Sequence, residues 1–417
     1  MSAISIRNLD VVFGDKVDAS LKLLDQGKTR QEIIDLGCNV VGVHNASIEV
    51  AEGEICVLMG LSGSGKSSLL RAVNGLNPIS RGELLVQDGE QMVDIGSCDE
   101  TTLRHMRTRR ISMVFQNFAL MPWLTVLDNV AFGLEMQGMG KQERRAKAME
   151  KLEMVGLDEW SSKYAHELSG GMQQRVGLAR AFAMDSDILL MDEPFSALDP
   201  LIRSQLQDEL IELQQRLNKT ILFVSHDLDE ALKIGTNIAI MESARIIQHG
   251  RPEDIVLNPI NDYVEQFVAH TNPLNVLKGR SLMTETSKLE RLEDMLVLNR
   301  NDNTCVSTNS AGQVVSASRQ GKPIALYQWQ EGESIDRLPE DTLVMATPDI
   351  SMRQAIEIRY RTGQPVLLNE KESLIGILSD NNFYHALLGK HFTSTETSIP
   401  SQATLADDAE RLTNSSI

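Results

Sequence analysis

The stretch Gly60-Leu61-Ser62-Gly63-Ser64-Gly65-Lys66-Ser67 satisfies G-x-x-x-x-G-K-[ST] at each fixed position and directly follows the apolar run Ile55 to Met59. A strand feeding such a loop lets successive backbone N–H groups converge on phosphate oxygens. A helix expected from Ser67 to Asn74 adds the positive end of its dipole. Lys66 is suited to the β- and γ-phosphates of a nucleotide, and the hydroxyl of Ser67, with Ser68 beside it at the helix start, to Mg²⁺ and phosphate oxygens.

Hydrolysis of ATP requires, besides this loop, a metal anchor, a water activator and a group on the γ-phosphate. The apolar run Ile188 to Met191 ends in Asp192-Glu193. Asp192 is the expected Mg²⁺-side carboxylate and Glu193 the expected general base. A second run, Thr220 to Val224, ends in Ser225-His226-Asp227, which places His226 to bond the γ-phosphate and the attacking water. Gln116 closes a third apolar run, Ile111 to Phe115.

These residues need a sheet to bring them together. Short apolar strands alternating with helices predict a parallel sheet, whose ligands gather beyond the carboxyl ends of the strands. Lys66, Gln116, Asp192, Glu193 and His226 all lie just past such ends. Ile4 to Phe13 alternates like a half-buried strand, and Phe13 fits equally a core side chain and an adenine platform. Asp15 to Asn39 turns polar and helix-like, as an insertion would. Asn117 to Leu168 reads as a compact helical segment, and the arginines at 104, 107, 109 and 110 as a solvated helix face.

At 417 residues the chain exceeds one ordinary core, and a domain count of about two or three is expected. Four scattered cysteines without a C-x-x-C pair point to a reducing compartment rather than to disulfides or zinc. No run reaches the roughly 18 apolar residues of a membrane span, and the first residues lack the organisation of a signal peptide. A net charge of −18 and 4% aromatic residues exclude a general nucleic-acid surface.

Leu168-Ser169-Gly170-Gly171-Met172-Gln173-Gln174 is a further glycine turn opening a helix. With the phosphate loop, Gln116, Asp192-Glu193, Ser196-Ala197-Leu198-Asp199 and His226, in this order, it resembles the ATP-binding cassette (ABC) ATPases from Ile4 to about residue 270. The resemblance implies a P-loop NTPase of α/β class, with a RecA-like core and a helical subdomain at about 117–168. It implies a homodimer of cassettes in which each ATP is pressed between one phosphate loop and the other subunit's Ser169, Gly170 and Gly171. It also implies that Asp199 communicates across that interface and that Gln116, near the metal, couples the γ-phosphate to the helical segment.

A closer resemblance is carried by Phe13-Gly14, the insertion at 15–39, Phe115 to Pro122 and Phe195 to Arg203. These look like the ATPase subunit of glycine betaine/proline-type importers, which serve betaines, choline and carnitine. The resemblance implies a permease contact at Phe118 to Trp123, adenine stacking on Phe13, and an extracytoplasmic solute-binding protein. It also implies a peripheral position on the cytoplasmic face of the plasma membrane. An importer for another small solute, or a soluble cassette ATPase outside transport, are the alternatives. Beyond residue 270, Thr271 to Asn275 reads as a linker to a small α+β regulatory domain, 271–417. Within it, about 347–390 resembles a cystathionine-β-synthase-type (CBS) module, the half before it does not, and Asp407 to Ile417 reads as a frayed end.

Overall fold

The strands Ile55–Met59, Ile188–Asp192 and Thr220–Val224 are buried at every position, as expected of a parallel sheet covered on both faces. The computed structural model describes residues 2–37, 39–269, 271–292 and 295–388, so the frayed end expected at 407–417 lies outside the described residues. Contacts divide the chain into two units, Met1–Ile255 with Pro259–Thr271, and Val256–Asn258 with Asn272–Ile417.

In the first unit a six-stranded sheet runs in the order Arg245–Gly250, Asn237–Glu242, Ile55–Met59, Thr220–Val224, Ile188–Asp192, Ile111–Val114. All neighbours are parallel except the first pair. One face carries a core built from Val57, Met59, Met191 and Phe223 with helices Val126–Met136, Lys141–Met154 and Gly170–Ala183. Phe195, just past the acidic strand end, packs its ring 5.7 Å from that of Phe223 and so fixes the loop that carries Glu193. The other face packs Leu58, Leu190 and Val224 against the helix Lys66–Val73 and a second sheet.

That second sheet is antiparallel and four-stranded, in the order Val40–Ala51, Ser2–Phe13, Arg81–Asp88, Gln91–Asp94. The strand Ser2–Phe13 is not half-buried as its alternation suggests. It lies between two partners, and most of its residues are buried on both faces. Its Asp10 is 1% exposed and satisfied by Arg81 Nε at 2.7 Å, His44 Nδ1 at 2.8 Å and the Asn45 N–H at 2.9 Å. A buried carboxylate of this kind must be so paired. The insertion folds as two short helices, Val17–Asp25 and Arg30–Asp35, the latter with Thr29 and Glu32 in a capping box.

The arginine cluster is a solvated face only in part: Arg104 is exposed, while the other three side chains are tied down. Arg107 donates to the carbonyls of Asn74 and Gly75, Arg109 to that of Gln137, and Arg110 bonds Asp88 and Asp187. Arg107 and Arg109 thus satisfy carbonyls left open at helix ends, a use that charge patterning does not reveal.

The second unit holds two five-stranded sheets. One is antiparallel, from Arg291–Leu292 through Met295–Asn299, Thr304–Thr308 and Val314–Arg319 to Lys322–Pro323. The other is mixed, with Ala325–Gln328, Thr342–Ala346 and Val366–Glu370 parallel, then Ser373–Leu378 and the edge strand Thr284–Glu285 antiparallel. Helices Met352–Thr362 and Asp380–Leu388 belong with it, the first opened by a Ser351/Gln354 capping box and closed by Gly363 at φ 69°. Among the described residues no helix is long and apolar enough to cross a membrane.

Candidate functional site

The strand Ile55–Met59 turns into the helix Lys66–Val73 through three glycines at positive φ. A Cβ at Gly60 would stand 2.1 Å from the Met241 carbonyl oxygen, and one at Gly65 would stand 2.3 Å from that of Gly42. No other residue fits either place. The Lys66 ammonium donates to its own loop, to the carbonyls of Gly60 at 2.8 Å and Leu61 at 3.0 Å. Burial pushes its pKa down, against the pull of Glu193 and Asp192.

Asp192 is completely buried at the end of its strand. Its carboxylate accepts from Ser67 Oγ at 2.7 Å and from Arg71 at 3.0 Å. Ser67 and Asp192, 125 residues apart, therefore present hard oxygens side by side, a donor set that suits Mg²⁺. Glu193 follows with φ 49°, a left-handed conformation that a glutamate holds only when its surroundings impose it. Its Oε2 meets the Gln116 amide at 3.3 Å and His226 Nδ1 at 3.4 Å. The recess beside it, about 20 Å³ and lined in part by Glu193, Ser225, His226 and Glu230, has room for one water. Lys66, Ser67, Asp192, Glu193, Gln116 and His226 thus form one connected cluster.

Other expected residues stand apart from it. Ser169 caps the helix Gly170–Ala183 and is exposed with Gly170; no hydrogen bond among the described residues joins Ser169, Gly170 or Gly171 to the phosphate loop. Asp199 caps the helix Pro200–Leu217 through the Ile202 N–H at 3.1 Å. Phe13 is half-buried, its ring edge so close to Gly42 that a Cβ there would lie 2.5 Å from it. The loop after Gln116 holds Phe118 and Ala119 at φ 58° and 47°, clamped by Arg180, whose guanidinium donates to both carbonyls. Burial lowers the pKa of Arg180. Trp123 in this loop is 73% exposed.

Several supporting residues escaped the sequence reading. Arg71 lies one helical turn beyond Ser67 and holds the far oxygen of Asp192. Gln174, 1% exposed, donates to the Glu193 carbonyl at 3.2 Å and accepts from the Ala197 N–H at 3.1 Å. Glu230 accepts from Ser225 at 2.5 Å and from Gln207 at 3.0 Å beneath His226, and burial pushes its carboxyl pKa up. Arg30 of the insertion donates to the Gly63 carbonyl in the phosphate loop. Arg71 had a signal in its i+4 spacing from Ser67, and Glu230 lies five residues from Ser225; the other pairings join distant segments.

A profile of the ABC transporter family matches residues 43–196. The glycine betaine/proline betaine transport system ATP-binding protein ProV of Escherichia coli K12 is 48% identical over 283 residues, 68% of this chain and 70% of that protein. The glycine betaine transport ATP-binding protein OpuAA of Bacillus subtilis is 48% identical over 290 residues, covering 69% and 68%. The trimethylamine N-oxide transport system ATP-binding protein TmoW of Pelagibacter ubique is 44% identical over 286 residues, covering 69% and 82%. Among solved structures, the dimeric post-hydrolysis state of the ATP-binding cassette MJ0796 bound to ADP and Pi superposes with a TM-score of 0.52. It is 28% identical and covers 60% of this chain and 98% of its own.

Proposed function

The chain belongs to the ABC transporter family of ATP-binding cassettes and is an ATPase of that family, and from this premise we propose that it energises uptake of a quaternary amine or betaine through a partner permease. The substrate class rests on the relatives, which are named for glycine betaine, proline betaine and trimethylamine N-oxide transport. The observation that carries the chemistry is the convergence of Gln116 and His226 on one oxygen of Glu193, beside the Ser67–Asp192 pair.

In this reading Lys66 and the amides of residues 60–68 bind the β- and γ-phosphates, and Phe13 carries adenine. Ser67 and Asp192 would hold Mg²⁺, with Gln116 as a further candidate ligand, and the cation would supply charge neutralisation at the phosphates. Glu193 accepts a proton from the attacking water, and His226 holds that water against the γ-phosphate. Exposed Ser169 and Gly170, with half-buried Gly171, serve the ATP of a second copy, with Asp199 at the same interface. Exposed Trp123 and the clamped loop before it fit the permease contact on the cytoplasmic face of the membrane, with an extracytoplasmic protein delivering the solute.

The two domains of this reading are the cassette, 1–270, with its insertion at 15–39 and helical segment at 117–168, and a regulatory domain, 271–417. The strand–helix–strand–strand–helix run from Thr342 to Leu388 supports the CBS-like assignment for 347–390. Membrane vesicles bearing the full-length protein and its copurifying permease test the proposal. Glycine betaine, choline and carnitine should compete for one ATP-dependent uptake, which Lys66→Ala lowers at least a hundredfold. Uptake of none of them, or uptake indifferent to Lys66→Ala, contradicts it.

A further inference from the structure

We propose that Glu54, Cys56 and His249 form a binding site for a zinc-class divalent cation at the start of the strand whose other end becomes the phosphate loop. One donor atom from each, a carboxylate oxygen, a thiol sulfur and an imidazole nitrogen, lies within 4.8 Å of the others. Sheet register brings them together. Glu54, Cys56 and Leu58 alternate onto one face, Leu58 pairs with Ala239, and Ala239 pairs with His249 on the edge strand Arg245–Gly250.

The three donors differ in how they are held. Cys56 is fully buried and, among the described cysteines, all of which are free, stands alone in having histidine and carboxylate partners at this range. Glu54 is 8% exposed and oriented by Asn237 Nδ2 at 2.6 Å and by the Ala51 N–H at 2.7 Å, which leaves further lone pairs on both oxygens. Such outer partners set the direction of metal ligands. His249 is exposed and opens the site to solvent, giving a cation its entry and a water its fourth position.

Bonds of about 2.0–2.3 Å in a tetrahedral site place donors about 3.5 Å apart, so the cluster must contract by about 1 Å. A turn of the exposed His249 side chain shortens its own two distances, and a rotation of the Glu54 carboxylate the third. Mixed sulfur, nitrogen and oxygen donors exclude Mg²⁺ and Ca²⁺, which take oxygen alone, and select Zn²⁺ or Co²⁺. Binding displaces the Cys56 thiol proton to solvent. Carboxylate, thiolate and dication then sum to zero, so the buried site carries no net charge. The cation would brace the edge strand against the strand that leads to the phosphate loop. The site shares no residue with the ATP cluster and stands whether or not the transport reading holds.

Metal-free, tag-free full-length protein without nucleotide is titrated with Co²⁺ and then with Zn²⁺. The expected result is one equivalent of Co²⁺ giving a thiolate-to-cobalt charge-transfer band that Zn²⁺ abolishes. The band is lost in Cys56→Ser, weakened at least tenfold in affinity in His249→Ala, and unchanged in Cys98→Ser. The ATP cluster, Lys66, Ser67, Gln116, Asp192, Glu193 and His226, holds no thiol and gives Co²⁺ no such band. Zinc at a hundredfold excess over the wild-type Kd should raise the melting temperature by about 5 °C in the wild type and by about half of that or less in His249→Ala. Because His249 is exposed, that variant folds even where Cys56→Ser does not. Absence of the band in the wild type, or a Co²⁺ affinity unchanged in His249→Ala, overturns the proposal.

Discussion

Replacing Gln174 with leucine keeps the volume of a buried side chain and removes the two hydrogen bonds that tie the helix Gly170–Ala183 to the loop bearing Glu193. The Glu193 carbonyl keeps a partner in Ser196 Oγ at 3.1 Å, and Ala197 is exposed enough for water to reach its N–H. The loss is therefore that of two ordinary hydrogen bonds rather than of two orphaned groups, about 1–2 kcal/mol in all. Glu193 is held at a φ of 49° that its own backbone disfavours. Loosening that hold by 1–2 kcal/mol lowers the share of correctly set Glu193 by a factor of about 5–30. The account predicts a fall of that size in kcat with KM for ATP changed less than about twofold, because Gln174 touches none of the residues assigned to the phosphates. Steady-state turnover against ATP concentration, with a melting curve to show the fold intact, reads both numbers. A raised KM at unchanged kcat would refute the reasoning, as would unchanged turnover in a folded variant.

Ser169→Arg should cost less than about 1 kcal/mol of stability, since the cap it loses is a long 3.4 Å bond. Its ATP affinity as a monomer should hold while turnover falls at least a hundredfold, read by equilibrium nucleotide binding beside phosphate release; near-normal turnover contradicts the pairing of two copies. Glu230 gives a pH test. Burial raises its folded pKa above the ordinary 4.5, so its contribution to stability is full below that value and is lost as pH rises through the folded pKa. Glu230→Gln, which keeps an acceptor for Gln207, should therefore gain in melting temperature relative to wild type as pH rises from 4 toward 8, and a difference flat with pH would remove the charge from the argument.

The cluster around Glu193 is the part of the molecule that its sequence displays best. Asp192, Glu193, Gln116 and His226 sit at the end of an apolar strand or within two residues of it, Lys66 and Ser67 close the loop that follows another, and Gly60 and Gly65 of that loop are dictated by backbone clashes with Met241 and Gly42. What the strands do not announce is their neighbour in the other sheet. Ser2–Phe13 alternates in residue type and yet is buried on both faces, because burial follows from packing between Val40–Ala51 and Arg81–Asp88. Gln174, Arg30 and the Asp10–Arg81 pair were invisible for the same reason: each partner lies at least 19 residues away. The arginines at 107 and 110 look like solvated charge until the carbonyls and carboxylates they serve are known. In the second unit, strands of two to six residues are too short to show a period, and the antiparallel sheet from Arg291 to Pro323 left no pattern to read.

The most direct measurement is single-turnover ATP hydrolysis by Glu193→Gln, with the assembly state followed by light scattering. An amide preserves the contacts with Gln116 and His226 while losing the ability to take a proton from water. The account predicts ATP affinity within about threefold of wild type, hydrolysis slowed at least a hundredfold, and an ATP-dependent dimer that persists. Hydrolysis at the wild-type rate, or loss of ATP binding equal to that in Lys66→Ala, would contradict the assignment of Glu193 as the base.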